Sequence, residues 1–144
     1  MITLREVNKE NFWDCIQRSV AQEQAHYVTS NAVSIAQAKV QPECMPLAIY
    51  EDEVLVGFLM YCLDADDGEY WLYRLMIDQH HQGKGYGRQA MQRLLQIIRQ
   101  DKTHNRMFLG VEGENAAAIR LYESLGFAFD GRMFDGERIM RLDY

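Results

Sequence analysis

Apolar residues along most of the chain recur with either strand or helix spacing. The run Tyr70–Ile77 is aromatic and apolar enough to predict a buried strand. After a glycine-rich turn, helical spacing relates a set of apolar residues, while glutamines and arginines take the opposite face. These apolar residues are Ala90, Met91, Leu94, Leu95 and Ile98. The middle of the chain is therefore predicted to be a strand, a turn and a helix.

The flanking sequence predicts further strands and helices. Strands are expected at 2–7, 47–51, 54–63, 106–111, 127–130 and 137–142. Helices are expected after the possible cap Asn8, near Asn31 and at Asn115, with Gly126 just past the end of the last helix. This mixed order favours an α/β or α+β fold with one main sheet.

Two connections in this outline depend on prolines and glycines. Pro42 and Pro46 are expected to break the chain before the strand at 47–51. A loop that holds Gly131 and Gly136 is expected to join the two closing strands. The acidic stretch 64–69 is expected to be a hairpin turn.

Composition limits the classes of function. The chain has 144 residues, of which 48% are hydrophobic and two are prolines, so residues 1–144 are expected to form one domain with a sizeable core. The formal net charge of −6 argues against nucleic acid as a partner and is compatible with cationic ones. No run is long enough to span a bilayer and the N-terminus does not resemble a signal peptide, so a cytoplasmic protein is expected.

The metal-binding residue types do not form a recognisable site. The three cysteines, Cys15, Cys44 and Cys62, include no C-x-x-C pair. His80 and His81 have no cysteine or carboxylate at ligand spacing, so we interpret them as a polar turn. No metal is expected.

The glycine-rich turn is the first motif that points to a ligand. Its glycines let the backbone approach a ligand closely, and the helix that follows offers N–H groups and a positive dipole end to phosphate. Two cations lie within or beside the turn. The predicted pyrophosphate cradle comprises Gln82, Gly83, Lys84, Gly85, Tyr86, Gly87 and Arg88.

The spacing of these glycines argues against two common nucleotide sites. Arg88 stands where a third glycine of G-x-G-x-x-G would be, which weakens a dinucleotide interpretation. No Ser or Thr follows Gly83-Lys84, so the turn is not a Walker loop. The turn is similar to the Q/R-x-x-G-x-G/A signature of the GCN5-related N-acetyltransferases. On this segment alone, an ordinary strand-to-helix turn that requires glycine remains an equal alternative.

The second motif follows the strand at 106–111. On a helix, Asn115, Ala118 and Tyr122 share one face, and the small residue between two polar ones leaves room for a thin ligand arm. Taken alone, this segment is better explained as a capped helix with a core tyrosine. In the order found here, however, N-x-x-A-x-x-x-Y followed by G-F resembles the downstream segment of the same acetyltransferase family.

Together the two motifs identify the chain as resembling the GCN5-related N-acetyltransferase (GNAT) family. The resemblance covers the chain well from about Val54 onward and is nearest to bacterial spermine/spermidine N-acetyltransferases of the Blt type. It implies a GNAT fold, with a single mixed, mostly antiparallel sheet that is splayed in the middle and flanked by helices on both faces. It also implies acetyl-CoA as cosubstrate, a polyamine as acceptor, and is compatible with a homodimer.

The resemblance also implies roles for individual residues. The pantetheine arm of acetyl-CoA is expected to bind backbone groups of Leu75, Met76 and Ile77 and to contact Asn115. Tyr122 is expected to protonate the leaving thiolate. For the oxyanion, a backbone N–H near Met76 is expected, at a bulge of the strand.

The general base is not determined by the resemblance. By resemblance, vertebrate-type spermidine/spermine acetyltransferases carry a Glu at the position of Tyr73, and ribosomal-protein N-terminal acetyltransferases carry one at the position of Gly110. Glu112 lies on the same strand face as Gly110 if the strand is regular, which makes it a candidate base or acceptor-binding residue. Glu23 and Tyr27, in the bend before the second helix, and Tyr73 are further candidates for binding the acceptor.

Two other functions remain open at this stage. The chain could acetylate a protein N-terminus or a lysine side chain, although Gly110 argues mildly against the ribosomal version of that activity. It could also be a non-catalytic acetyl-CoA sensor. The presence of Tyr122 argues only weakly against this alternative.

Overall fold

The computed structural model describes all residues from 1 to 144, and seven strands form its sheet. The strands are β1 (Ile2–Glu6), β2 (Cys44–Glu51), β3 (Val54–Leu63), β4 (Tyr70–Ile77), β5 (Arg106–Val111), β6 (Ala128–Phe134) and β7 (Glu137–Asp143). The α-helices are α1 (Phe12–Gln17), α2 (Asn31–Val40), α3 (Tyr86–Ile98) and α4 (Ala116–Ser124). Two short 3-10 helices lie at Gln22–Tyr27 and Gln79–His81. No helix has the length and apolar character needed to cross a bilayer.

The sheet is mixed and opens in its middle, as predicted. Its strand order is β1-β2-β3-β4-β5-β7-β6, and every neighbouring pair is antiparallel except β4 with β5. That parallel pair joins only residues 70–72 to residues 107–109. Residues 73–77 of β4 and 110–111 of β5 do not pair with each other. The two halves of the sheet therefore diverge, and backbone groups at the open edges have no strand partner.

Two hydrophobic clusters hold helices on the two faces of the sheet. One contains the buried face of α3 and Tyr122 of α4, packed on alternate residues of β2 such as Leu47 and Ile49. The other contains Cys15 of α1 and the intervening β2 residue Ala48, with α2 packed against it. Because side chains alternate along a strand, one sheet buries both sets of helices.

Three local predictions were wrong at the level of single residues. Pro46 lies inside β2, opposite Met60, so β2 begins at Cys44 and not at residue 47. Asn11, and not Asn8, is the N-cap residue of α1, although the Asn8 Oδ1 accepts the Asn11 N–H at 3.0 Å. Gly131 lies within β6, where the pairing with β7 is interrupted, so the closing turn is only Asp135 and Gly136.

The bulge in β4 also lies elsewhere than expected. The register with β3 shifts between Met60 and Tyr61, which pair with Arg74 and Leu72 and leave Tyr73 as the extra residue. Met76 pairs regularly with Phe58, so the expected bulge at Met76 is corrected to Tyr73, three residues earlier. An extra residue bends the strand locally and disrupts its ladder. Here it occurs directly after the last β4 residue that pairs with β5.

Candidate active site

Three adjoining cavities occupy the opening between β4 and β5. The loop-side cavity, of about 490 Å³, lies between the glycine turn, the end of β4 and α4. The central cavity, of about 440 Å³, lies between the diverging strands and shares Asn115, Ala118 and Tyr122 with the first. The acidic cavity, of about 600 Å³, extends toward the β3–β4 hairpin and shares Tyr73 and Glu137 with the central one.

The glycine turn leaves backbone open at the start of α3. Gly83 and Gly85 have φ values of +78° and +79°, which side chains other than glycine rarely adopt. Gly85 is the N-cap residue and provides no side-chain cap, so the first N–H groups of a 13-residue helix have no capping side chain. A Cβ at Gly83 would meet no atom within 4 Å. This end of the loop-side cavity can therefore accept an anion at close range.

The polar side chains of the predicted cradle divide between structural and open positions. Gln82 donates to the Ile77 carbonyl at 2.9 Å and to Gln24 at 3.1 Å, so it fixes the turn to the end of β4. Arg88 is exposed and donates to Ser124 on α4 at 2.9 Å. Lys84 is exposed at the tip of the turn. Lys84 and Arg88 do not line the loop-side cavity, whereas Gln82, Gly83, Gly85, Tyr86 and Gly87 do.

The walls of the loop-side cavity come from β4 and α4. Leu75, Met76 and Ile77 line it along the open edge of β4. The Met76 side chain is buried, so only its backbone is available there. Across the cavity, Asn115 caps α4 by accepting the Ala118 N–H at 3.3 Å. Its position at the helix start brings it to the cavity edge with Ala118 and Tyr122.

Tyr122 lies where the loop-side and central cavities meet. It is the buried residue of α4, and its ring packs edge-on against Phe127 at 5.9 Å between centroids. Burial, and then the negative charge of Glu137, raises the pKa of its hydroxyl. The hydroxyl is therefore a proton donor throughout the neutral range.

The central cavity brings two carboxylates together. Glu112, just after β5, lines it, and Glu137 at the start of β7 lines it as well. Val111 pairs with Arg138, so the next step of the register sets Glu112 opposite Glu137. Burial, and then the charge of Glu112, raises the pKa of the Glu137 carboxyl.

The acidic cavity is lined by the predicted hairpin and by the β6–β7 turn. Asp64 accepts the Tyr73 hydroxyl at 2.8 Å, and Asp67 accepts the Trp71 indole N–H at 2.9 Å. Asp135 and Glu137 line this cavity as well as the central one. These contacts hold carboxylates beside aromatic walls.

Of the remaining candidates for binding an acceptor, two line the cavities and one does not. Tyr27 lines both the loop-side and central cavities and packs against His26 at 4.0 Å between ring centroids. Tyr73 lines the central and acidic cavities. Glu23 is exposed and lines none of the three cavities. His81 lies 3.2 Å from Asp78, and no group of three or more potential metal ligands occurs in the structure.

Sequence reasoning missed Glu137, Asp135 and Arg74, all of which line the central cavity. Arg74 donates to Gln37 of α2 at 2.9 Å, and burial lowers the pKa of its guanidinium. One signal was available for Glu137. A strand residue without a side chain, Gly110, leaves space over the sheet that a neighbouring strand can fill, but the sequence does not say which strand is the neighbour.

Comparison with known proteins agrees with this geometry. Residues 8–127 match the model of the acetyltransferase (GNAT) family. The chain is 34% identical to the spermine/spermidine N(1)-acetyltransferase of Bacillus subtilis strain 168, and the match covers 96% of both chains. A probable spermine N(1)-acetyltransferase of Bacillus subtilis subsp. natto is 35% identical over the same shares.

Solved structures share the fold at low sequence identity. Aminoglycoside acetyltransferase AAC(6')-Ib in complex with coenzyme A superposes with a TM-score of 0.82 at 16% identity, over 99% of this chain and 95% of that one. Spermidine N-acetyltransferase from Vibrio cholerae, in complex with CoA and spermine, gives 0.75 at 18% identity, over 97% and 92%. From the family match and the full-length relatives, the chain belongs to the GNAT family and is an acetyltransferase.

Proposed function

We propose that this acetyltransferase moves the acetyl group of acetyl-CoA to a primary amine of a polyamine such as spermine or spermidine, with Tyr122 as general acid. The observation that carries the proposal is the charge of the cleft beyond Tyr122. The central and acidic cavities are lined by six carboxylates but only two guanidinium groups. The carboxylates are Asp64, Asp66, Asp67, Glu112, Asp135 and Glu137, and the cations are Arg74 and Arg132.

This acceptor side suits a long, flexible polycation. A polyamine places several positive charges on short alkyl arms, so its binding site requires separated carboxylates with apolar or aromatic surface between them. Trp71, Tyr73 and Phe134 supply that surface in the acidic cavity. Charge attraction of this kind selects the acceptor and speeds its encounter. The full-length relatives are named for the same acceptors.

The residues of the loop-side cavity fit acetyl-CoA. The uncapped start of α3 and the two glycines with positive φ suit a pyrophosphate. Lys84 and Arg88 lie outside the cavity, and their positive charges can partly neutralise the pyrophosphate. The slot between β4 and α4 suits the thin pantetheine arm, with backbone groups of Leu75, Met76 and Ile77 along one wall. Bound there, acetyl-CoA supplies an activated thioester at the Tyr122 end of the cavity.

The chemistry then falls to residues around Tyr122. In the transfer, a bond forms between the amine nitrogen and the acetyl carbon, and the carbon–sulfur bond breaks. The Tyr122 hydroxyl gives its proton to the departing sulfur and regains one from solvent. A backbone N–H at the open edge of β4, near Met76, stabilises the negative charge on the acetyl oxygen. Tyr27 and Tyr73 line the central cavity, through which the acceptor reaches the thioester.

A CoA-release assay with a panel of acceptors tests this proposal. We expect release with acetyl-CoA plus spermine or spermidine, and a much lower kcat/KM with butylamine, which carries only one charge. Peptides with a free N-terminus or a lysine side chain form the third arm. Preference for a peptide would replace the polyamine by a protein acceptor, and CoA binding without release from any acceptor would indicate a sensor. Light scattering tests whether the chain is a homodimer.

A further inference from the structure

We infer that Glu137 is the general base. Its carboxylate occupies the space over Gly110 and takes the proton of the attacking ammonium. This assignment rests on the proposed acetyl transfer to an amine. An alkyl amine resembles a lysine side chain, so roughly one molecule in two thousand is neutral at pH 7. A proton acceptor near the site of attack therefore raises the reactive fraction.

The space over Gly110 is filled by the Glu137 carboxylate. A Cβ built on Gly110 would lie 2.6 Å from the Glu137 Oε1 and 3.3 Å from its Cβ. Because Gly110 has no side chain, the carboxylate of the neighbouring strand lies over β5 at the widening of the cleft. Glu137 faces both the central and the acidic cavity, so it is accessible from the acceptor side.

Glu137 is held in a setting that does not favour its charge. Glu112 and Glu137 directly follow and precede the last pair of the β5–β7 ladder, Val111 with Arg138, so two like charges lie together at the end of these strands. No side chain or backbone group of the protein donates a hydrogen bond to its carboxylate. Such an unfavourable placement of a carboxylate in a cleft is typical of a functional group.

The charged and titratable groups around Glu137 come from four parts of the chain. Glu112 follows β5, Asp135 lies in the β6–β7 turn, Arg74 lies on β4 and Tyr122 on α4. Burial is the main cause that raises the pKa of Glu137, and the charges of Glu112 and Asp135 raise it further against the opposing guanidinium of Arg74. A carboxylate with a raised pKa is a stronger base than an exposed one, while Tyr122 stays protonated beside it.

The proton balance of the step is then complete. The ammonium of the acceptor gives one proton to the Glu137 carboxylate, and the neutral nitrogen forms the bond to the acetyl carbon. The carbon–sulfur bond breaks with its electron pair on sulfur, which takes the proton of Tyr122. The nitrogen of the new amide releases its second proton to solvent, the protonated Glu137 carboxyl also loses its proton to solvent, and the Tyr122 phenolate takes one proton back, so one proton is released per turnover. Glu112 contributes to binding the cationic acceptor.

The pH profile of Glu137→Gln tests the assignment. At pH 7 we expect its kcat with spermine to fall by on the order of 10²-fold, with acetyl-CoA affinity unchanged. Without a base, turnover depends on amine that is already neutral. Hence log kcat/KM of the variant should rise with a slope of about one between pH 7 and 9, and the deficit should shrink. A residue that only binds the acceptor would raise KM and leave that slope as in the wild type.

Gly110→Ala provides a second variant that keeps the carboxylate. The closest contact of the new Cβ is with the far end of the flexible Glu137 side chain, which can move, and the 3.3 Å contact with the Glu137 Cβ requires only a small shift, so the fold should hold while Glu137 is displaced. We expect a loss of kcat and a pH slope like those of Glu137→Gln. Glu123→Gln, an exposed change on α4, serves as the matched control with wild-type kinetics.

The outcomes separate the two proposals. If the wild-type chain acetylates no amine, the proposed function fails, and the role of Glu137 fails with it. If the wild type acetylates polyamines and Glu137→Gln keeps its kcat and its pH profile, only the assignment of the base is overturned. A weakly basic acceptor, 2,2,2-trifluoroethylamine, is already neutral at pH 7. With it, Glu137→Gln should approach the wild-type kcat/KM, and a persistent deficit would overturn the assignment.

Discussion

The two sides of the cleft are built by different means. The loop side is made mainly of backbone: two glycines with positive φ, the uncapped start of α3 and the open edge of β4. The acceptor side is made of side chains, chiefly carboxylates from the β3–β4 hairpin, the end of β5 and the β6–β7 turn. Tyr122 lies between them.

This difference has a consequence for specificity. Backbone donors at a helix start recognise any phosphate, so the loop side suits a phosphate-bearing ligand whichever amine is the acceptor. Side chains can be exchanged without disturbing the fold, so the acceptor side is where charge and shape select one amine. Mutations on the two sides should therefore affect different kinetic constants.

The largest expected effect is that of Gly85→Asp on the loop side. The change strains a residue with φ of +79° and sets a negative charge against a pyrophosphate. Like charges in contact cost several kcal/mol, so calorimetry should show acetyl-CoA affinity reduced about 10³-fold. Gly68→Asp is the matched control, because it has a similar φ of +71° and the same new charge at the opposite end of β4. Equal losses in both variants would remove the phosphate role from the turn.

The next effect is that of Tyr122→Phe at the junction. Loss of one hydroxyl should lower kcat by on the order of 10²-fold, the usual scale for general acid catalysis, with little change in acetyl-CoA affinity. The ring keeps its contact with Phe127, so circular dichroism and Tm should stay near wild type. Wild-type turnover would leave Tyr122 a packing residue and require another acid.

A smaller effect is expected from Glu112→Gln on the acceptor side. Removing one carboxylate from the central cavity should raise KM for spermine roughly tenfold, equivalent to about 1.4 kcal/mol. Exposed charge attraction is screened by salt, so the rise of KM with ionic strength should also flatten. Glu23→Gln is the control, since Glu23 lies outside the cavities, and it should keep the wild-type salt dependence. A flattened salt dependence in Glu23→Gln but not in Glu112→Gln would place the acceptor near the 3-10 helix Gln22–Tyr27 instead.

The smallest effect concerns stability and pH. Burial and Glu112 raise the pKa of Glu137 in the folded chain, so its contribution to the free energy of unfolding is greatest below the pKa of the unfolded chain. That contribution is lost as pH rises through the raised value. Glu137→Gln should therefore have a higher Tm than the wild type at pH 7, and the difference should vanish near pH 4. A lower Tm at pH 7 would mean that the charge of Glu137 stabilises the fold.

Local sequence determined one side of this cleft and the outline of the fold. The glycine turn, the capped helix from Asn115 and the strand Tyr70–Ile77 are continuous segments whose spacing predicts their structure. The elements 54–63, 70–77 and 106–111 match the predicted bounds because apolar runs between turn residues define them. Backbone sites of this kind need only neighbours in sequence.

Tertiary structure decided the acceptor side. The order of β5, β7 and β6 brings Glu137 to Gly110 and Glu112, although more than 20 residues separate them along the chain. The same distance in sequence hid Asp135, whereas Arg74 lies between the candidates Tyr73 and Leu75 and needed the fold to show that it faces the carboxylates. Pairing between distant strands is fixed by packing and register, which no local pattern contains. The sequence by itself thus predicted a phosphate-binding turn and an acid, and the fold alone decided which carboxylates lie near them.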